Sequence, residues 1–181
     1  VRALESEIEV PHGWPGHKPG QFAFATSDAS EGAHPYTIAS SWHAENPRIT
    51  FITKELGDHT SHLREKLRVG QKVMIEGPYG CFTFDDDCPH QIWIGGGIGI
   101  TPFVARMKHL AMQKGAPDRP EARTVDLFHT TADVDEQAFG KLAADARSAN
   151  VRLHLLVDSR DGRLTGERVR EAVTQWREAS I

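Results

Sequence analysis

The fold of this chain is decided by the stretch Gly95-Gly96-Gly97-Ile98-Gly99-Ile100-Thr101-Pro102. A short apolar run at 91–94 precedes it, which is typical of a buried strand, and a helical pattern follows it. Proline suits the first turn of a helix, so a helix is predicted to begin beside Pro102. Glycines let the backbone approach a pyrophosphate closely, and the N–H groups at a helix start attract the anion. The stretch therefore predicts a nucleotide-binding turn, with a tight turn that binds no ligand as the alternative.

The spacing within this stretch departs from the common dinucleotide-binding pattern. It has the form Gly97-x-Gly99-x-x-Pro102, whereas many such folds carry G-x-G-x-x-G. The next predicted strand has no acidic residue at its end to hold a ribose 2′-hydroxyl, and it continues into His129-Thr130-Thr131. Whether the ribose of such a nucleotide carries a free 2′-hydroxyl is therefore left open.

Downstream of the glycines, strands and helices alternate. The predicted strands are short apolar runs, and the predicted helices have apolar residues at helical spacing. We predict strands at 124–128 and 151–157 and helices at 103–111, 135–149 and 165–178. In the last helix Val169, Ala172, Val173 and Trp176 are expected to face inward. Such alternation predicts βαβ units and a Rossmann-like parallel α/β sheet.

Upstream of the glycines, short β-rich runs are separated by glycine and proline. We predict strands at 4–10, 21–25, 48–53 and 72–76, and one helix at 60–67 because Leu63 and Leu67 lie four residues apart. Several strands at close spacing predict a small antiparallel β-barrel with one capping helix. The acidic turn at 85–89 is well suited to a linker, so we predict two domains, residues 1–88 and 89–181.

Composition excludes several classes of function. The chain has 181 residues and a net charge of −4 with acidic and basic residues interspersed, so no nucleic-acid surface is predicted. Its ten histidines are scattered without metal-ligand spacing, and no metal site is predicted. Cys81 and Cys88 are interpreted as free thiols, and no apolar run reaches the roughly 20 residues of a membrane span.

Four segments, taken in order, resemble one known family. They are His34-Pro35-Tyr36-Thr37-Ile38-Ala39-Ser40, Gly57-Asp58-His59-Thr60-Ser61-His62-Leu63, Gly77-Pro78-Tyr79-Gly80-Cys81-Phe82, and the glycine stretch. They are similar to the flavin-binding strand, the pyrophosphate-binding helix start, the barrel-closing turn and the nicotinamide loop of the ferredoxin-NADP reductase superfamily. The His-Pro-aromatic-Thr form with Gly-Asp-x-Thr most resembles the ferric reductase and NADPH oxidase branch.

The resemblance implies an FAD-dependent NAD(P)H oxidoreductase. Its cofactors would be FAD and NADPH or NADH, with hydride passing to the flavin and electrons leaving singly. The implied acceptor is the haem of an attached membrane domain, with this chain on the cytoplasmic side. The alternatives are a soluble reductase for a ferredoxin or iron–sulfur partner, and a flavin-binding regulatory module without turnover.

The resemblance also assigns roles to single residues. Tyr36 would stack on the isoalloxazine, and Thr37 would be the catalytic residue that hydrogen-bonds flavin N5. Thr60 and Ser61 open a predicted helix, so their backbone N–H groups would take the FAD diphosphate, while Thr101 would reach the nicotinamide. The full predicted cofactor-binding set is His34, Pro35, Tyr36, Thr37, Ile52, Lys54, Gly57, Asp58, His59, Thr60, Ser61, Gly95, Gly96, Gly97, Gly99, Ile100, Thr101, Ser159 and Arg160.

Three departures from the family pattern matter. Many members carry an arginine where this chain has His34, so diphosphate binding is expected to depend more on helix amides and on Lys54. Ser159 and Arg160, after the third predicted strand, could contact a 2′-phosphate or could form a solvated surface loop. The family continues with a further strand where this chain reaches Ser180, so the sequence looks truncated, and we expect weak nicotinamide binding or slow turnover from the 181-residue piece.

Overall fold

The computed structural model describes residues 3–10, 13–54, 63–114 and 123–181. The chain divides into two compact units, Val1–Thr83 and Phe84–Ile181. This division lies a few residues before the boundary predicted between 88 and 89. Each unit is built differently, and each is described by itself.

The first unit is made of antiparallel strands with one short helix. Its elements are β1 (Ala3–Glu9), β2 (Phe22–Thr26), β3 (His34–Thr37), β4 (Arg48–Lys54), α1 (Leu63–Lys66) and β5 (Met74–Tyr79). Strands β1 and β4 form one sheet, and β3, β2 and β5 form another in that order. A backbone bridge between Ile38 and Phe51 links the two sheets. The predicted antiparallel class is confirmed, with the described strands arranged as two bridged sheets instead of one continuous closed barrel.

Strand β5 differs in its bounds from the prediction of 72–76. Pairing with β2 begins at Met74 and continues to Tyr79, so the strand contains most of the Gly-Pro-Tyr-Gly segment. The register shifts between Phe22 and Phe24, and the chain leaves the strand at Gly80, whose φ of +102° favours glycine. The predicted closing turn therefore lies at the end of a longer strand.

Alternation along the strands separates a core from an outer face. Ala23, Ile38, Ile49 and Phe51 are buried together, and burial of each large apolar side chain contributes about 1.5–3 kcal/mol. On the opposite face of the β3-β2-β5 sheet, the rings of Phe22, Phe24 and Tyr79 lie 5.7–5.9 Å apart. The first unit thus carries an aromatic outer face in addition to its buried apolar core.

The second unit is a parallel sheet with helices between its strands. Its elements are β6 (His90–Gly96), α2 (Thr101–Met112), β7 (Thr124–Thr131), α3 (Glu136–Ala149), β8 (Arg152–Val157), α4 (Asp158–Asp161), α5 (Gly166–Ala172) and β9 (Ala179–Ser180). The strand order is β8-β7-β6-β9, and every pair is parallel. The predicted Rossmann-like α/β arrangement is confirmed. None of the helices in the described ranges is long and apolar enough to cross a membrane.

Local signals explain the helix ends in this unit. The Asp135 carboxylate accepts from the Ala138 N–H at the start of α3, and Asn150 ends that helix with a φ of +61°. Thr165 caps α5 in the same way by accepting from the Arg168 N–H. Asp135 and Thr165 are also the residues at which the sequence predicts these two helices to begin.

The last helix is shorter than predicted. We expected it to extend to residue 178, but α5 ends at Ala172, which is exposed instead of inward-facing. Val173 leaves the helix with extended backbone angles and is buried beside Val169 and Phe128. Breaking the helix lets Val173 and, further on, Trp176 both pack on the same sheet face. Burial of Val173 and Trp176 against the sheet therefore decides the backbone conformation here, although the apolar residues continue at helical spacing.

Candidate nucleotide-binding sites

The glycine stretch forms a tight connection between β6 and α2. Gly95 and Gly96 end the strand, and Gly97–Ile100 make a single 3-10 turn before the helix begins at Thr101. Gly97 has a φ of +51°, in the left-handed region that disfavours a Cβ atom. A Cβ on Gly95 would lie 3.1 Å from the Ile100 Cα atom. Two of the glycines are therefore required by the protein's own backbone and packing.

Gly99 is different, because none of the residues that the structure describes requires it to be glycine. A Cβ atom built there meets no heavy atom within 4 Å, and its φ lies outside the left-handed region. Gly99 is exposed, and the space beside it is open at the turn that leads into α2, where backbone N–H groups attract phosphate. This observation fits a nicotinamide dinucleotide bound against the turn.

Two side chains of β7 lie behind the turn. His129 is 6% exposed, and its Nδ1 lies 2.9 Å from the Gly95 carbonyl oxygen. Thr130 is opposite Gly96 in the parallel register, and its Oγ1 would be 3.4 Å from a Cβ placed on Gly96. In the sequence, these two residues are recognisable only as the end of a predicted strand. The parallel pairing of β7 with β6 brings the end of β7 beside the glycines, and this pairing is the signal from which a role for His129 and Thr130 could have been predicted.

Thr101 has a structural contact inside the turn. Its side chain is 1% exposed, and its hydroxyl donates to the Ile98 carbonyl oxygen at 2.7 Å. This hydrogen bond stabilises the 3-10 turn from which α2 begins. The contact between Thr101 and a nicotinamide ring stays a prediction. Ile100, another residue of the predicted cofactor-binding set, lies in the 3-10 turn itself.

Ser159 and Arg160 lie in α4, directly after the carboxyl end of β8. The Arg160 guanidinium donates to the neighbouring Asp161 carboxylate through Nε and Nη2, both at 3.0 Å. Asp161 also accepts from the Val157 N–H at 2.8 Å, and the hydrogen bonds from Arg160 and Val157 lower the pKa of Asp161. The cation predicted for a 2′-phosphate is therefore already paired with an acidic neighbour.

Two residues of the predicted diphosphate set, His34 and Lys54, lie on different strands of the first unit. His34 begins β3 and pairs with Ala25 of β2, whereas Lys54 ends β4 and pairs with Ala3 of β1. The described backbone link between these two regions is the bridge from Ile38 to Phe51. An imidazole and an ammonium group both suit an anionic diphosphate, and their joint role there stays a prediction.

Tyr36 and Thr37 face opposite sides of β3. The Tyr36 ring packs on Phe51 with centroids 5.5 Å apart, and burial, followed by the charge of Glu31, raises the pKa of Tyr36. Thr37 instead lies on the outer face, where its direct strand partner is Phe22. The hydroxyl predicted to tune flavin N5 is therefore beside the aromatic outer face, and the predicted stacking ring is half-buried against the core.

Tyr36 also lines a small cavity in this unit. Phe51, Thr53 and Leu63 are among its other walls, and the cavity measures about 40 Å³. A volume of this size holds a few water molecules and no flavin ring. The remaining member of β4 in the predicted set, Ile52, lies on the face opposite Phe51 and Thr53 and is half-buried.

Five predicted site residues are not covered by the structure. Gly57, Asp58, His59, Thr60 and Ser61 fall between 55 and 62, outside the described residues. The helix predicted at 60–67 is described only as α1, whose Leu63 is buried. The role of this segment at a diphosphate stays a prediction.

Known proteins resemble the chain in both sequence and fold. A family of FAD-binding domains matches residues 4–83. The anthranilate 1,2-dioxygenase electron transfer component of Acinetobacter baylyi is 29% identical over 66% of this chain and 34% of its own length. The propane 2-monooxygenase reductase component of Mycolicibacterium smegmatis is 28% identical over 82% of the chain and 42% of its length. Ferric reduction oxidase 5 of Arabidopsis thaliana is 34% identical over 44% of the chain and 12% of its length.

Solved structures agree on the fold. The Amycolatopsis cytochrome P450 reductase superposes with a TM-score of 0.74 at 20% identity, covering 98% of this chain and 55% of that protein. Ferredoxin-NADP+ reductase from Plasmodium falciparum gives 0.66 at 17% identity, covering 95% and 74%. The chain therefore has the fold of the ferredoxin-NADP reductase superfamily, which its four motifs resemble, and its residues 4–83 match FAD-binding domains. FAD and NADH or NADPH are the cofactors of this superfamily. The chain spans less than half the length of the curated relatives described above.

Proposed function

We propose that this chain is the electron-input unit of a flavin-dependent oxidoreductase that takes hydride from NAD(P)H. The observation that carries the proposal is the order of its two parts. A region matching FAD-binding domains is followed by a parallel sheet whose glycine turn leaves open space at Gly99. Bound together, the two cofactors would supply the chemistry, with hydride passing from nicotinamide C4 to flavin N5 and electrons leaving singly.

The first unit would bind and orient the flavin. His34 and Lys54 would neutralise the diphosphate, helped by backbone N–H groups of the Thr60 and Ser61 segment. Thr37 would donate or accept a hydrogen bond at the reactive edge of the ring, and Tyr36 would contact the ring with its exposed part. None of these roles requires a protein acid or base, which agrees with hydride transfer between cofactors.

The second unit would bind the nicotinamide dinucleotide on the glycine turn. The N–H groups of the turn would hold the pyrophosphate, while Gly99 would leave room for it. Ser159 and Arg160 would lie near the adenosine ribose, at the carboxyl end of β8. Because Asp161 already pairs with Arg160, we propose that NADH is accepted as well as NADPH.

Two acceptors are candidates, and each has its own support. The His-Pro-Tyr-Thr segment and the match to a plant ferric reduction oxidase favour the haem of an attached membrane domain, with this unit on the cytoplasmic side. The two relatives named as components of a dioxygenase and a monooxygenase align over more of the chain, and they favour a separate acceptor protein, for which a ferredoxin or iron–sulfur protein is the alternative implied by the sequence resemblance. Apolar spans with paired histidines, or a cysteine-rich cluster module, in the sequence of the whole protein would discriminate them.

One spectroscopic experiment tests the proposal. The chain is mixed with FAD, unbound flavin is removed, and the visible spectrum is recorded before and after NADH or NADPH is added without oxygen. We expect flavin absorbance that is bleached by the reduced nicotinamide. A colourless protein would contradict the flavin assignment. Bound flavin that dithionite bleaches but neither nicotinamide does would instead support a flavin-binding module without turnover.

A further inference from the structure

A buried histidine lies directly behind the glycine turn. His129 occupies the carboxyl half of β7, where the parallel register sets it opposite Gly95. Its side chain is 6% exposed, and its Nδ1 is 2.9 Å from the Gly95 carbonyl oxygen. No role was assigned to this residue by the sequence.

The chemistry of this contact determines which ring nitrogen carries a proton. A carbonyl oxygen only accepts, so Nδ1 of His129 must be the donor. The neutral ring then has its hydrogen on Nδ1, and this tautomer is set by the contact. A side chain that cannot donate at the Nδ1 position leaves the Gly95 carbonyl without this buried hydrogen bond.

The peptide unit that receives this hydrogen bond joins two glycines. Gly95 and Gly96 are the last two residues of β6, where pairing with β7 ends, and without Cβ atoms their backbone has more accessible conformations than that of other residues. A trans peptide holds its C=O and N–H in opposite directions. Fixing the Gly95 carbonyl toward His129 therefore fixes the Gly96 N–H on the side away from His129.

Packing on the same peptide supports this orientation. The Ile100 Cα and the Phe103 ring both lie within 3.2 Å of where a Gly95 Cβ would be, so the turn folds closely over Gly95. Thr130 lies close to Gly96 from β7. The peptide is thus held from the sheet side by His129 and Thr130 and from the turn side by Ile100 and Phe103.

We propose that His129 is a positioning residue that holds the Gly95–Gly96 peptide in the orientation needed to bind a nicotinamide dinucleotide. The proposal rests on the proposed function of the glycine turn. His129 acts through the backbone and does not touch the cofactor. Losing its donor allows the peptide to rotate, which turns a carbonyl oxygen toward the space where a pyrophosphate needs an N–H group.

Three variants test this role in the full chain. His129→Leu removes the donor, and His129→Asn keeps an N–H donor close to the position of Nδ1. His154→Leu is the matched control, because it removes a histidine from the neighbouring strand β8 that bonds Asp126 instead of the turn. Dissociation constants for NAD+, NADP+ and FAD are measured by calorimetry, and folding is followed by circular dichroism.

We expect His129→Leu to weaken binding of both dinucleotides by about tenfold, the effect of about one lost oriented hydrogen bond. His129→Asn is expected to restore binding to within about threefold, since its amide replaces the Nδ1 donor. FAD binding should be unchanged in all three variants, and His154→Leu should bind dinucleotides like the unmodified chain. A loss of stability without rescue by asparagine would mean that His129 only fills space, and would overturn the proposal.

A separate measurement does not depend on any variant folding. Nitrogen-15 NMR of the unmodified chain reports which ring nitrogen of His129 is protonated, and we expect Nδ1–H. A ring protonated only on Nε2 would overturn the proposal. An unmodified chain that binds neither NAD+ nor NADP+ would instead contradict the proposed function of the turn, and the role of His129 would fall with it. Equal dinucleotide binding by the unmodified chain and His129→Leu would overturn the positioning role alone.

Discussion

The glycine turn of the second unit and strand β3 of the first unit present their predicted functional groups in opposite ways. In the turn, the backbone faces the open space, while the side chains of Thr101 and His129 are buried and bond to the turn itself. In β3, the side chains are the predicted ligands, and strand alternation sends Tyr36 to the core and Thr37 to the outer face. A site formed by backbone groups tolerates few substitutions at the glycines that shape it. A site formed by side chains depends on the functional groups of individual residues.

The comparison predicts its largest effect at Gly95. Gly95→Val is expected to destabilise the second unit by about 1–3 kcal/mol, because its side chain would overlap Ile100 and the Phe103 ring. The free energy of unfolding, measured in urea, checks this result. A variant as stable as the unmodified chain would show that the turn is loosely packed, and the contrast with β3 would be lost.

The next effect is expected at Thr37, where one hydroxyl is predicted to tune the flavin. Thr37→Val keeps the shape of the side chain, and we expect the rate of flavin reduction by NAD(P)H to fall about tenfold with FAD affinity retained. Stopped-flow absorbance measures that rate. Thr26→Val in β2 is the control on the same sheet. An unchanged rate in Thr37→Val would remove the hydroxyl from the site.

Within the glycine turn, a smaller effect on dinucleotide binding is expected at Gly99. Gly99→Ala should leave folding unchanged but weaken dinucleotide binding by about fivefold, since a methyl group would occupy the open space. Gly140→Ala, in the interior of α3, also meets open space and should stabilise the chain by about 0.5–1 kcal/mol without altering binding. Thermal melting and calorimetry distinguish the two. Full binding by Gly99→Ala would mean that the dinucleotide lies elsewhere.

The smallest expected effect concerns cofactor choice. Asp161→Asn retains an oxygen for the Val157 N–H but removes the charge that pairs with Arg160. We expect the affinity for NADP+, relative to the affinity for NAD+, to rise about threefold. The change is small because charge interactions at an exposed surface contribute little free energy. Glu167→Gln, an exposed acid of α5, is the charge-matched control. An equal change in both variants would reflect net charge only, and Arg160 would then have no part in the choice.

Most of the second unit could be predicted because its signals are local. Apolar periodicity predicts β6, α2, β7, α3 and β8, and Asp135 marks the start of α3 by its capping side chain. The end of α5 could not be predicted in this way. Val173 continues a helical pattern, yet it is extended because its burial on the sheet with Phe128 is a long-range contact.

The sequence by itself determined the two-part organisation, most of the strands and helices, and the glycine turn that is predicted to bind a nucleotide. These features depend on residue spacing and on conformations that only glycine or proline adopts, which are encoded locally. The tertiary structure alone decided that His129 reaches Gly95, that Val173 leaves the helix to pack beside Phe128, and that the Tyr36 face of β3 is the one that packs on Phe51. Each of these depends on strand register or on packing between segments that are distant in sequence, which residue spacing along the chain does not encode.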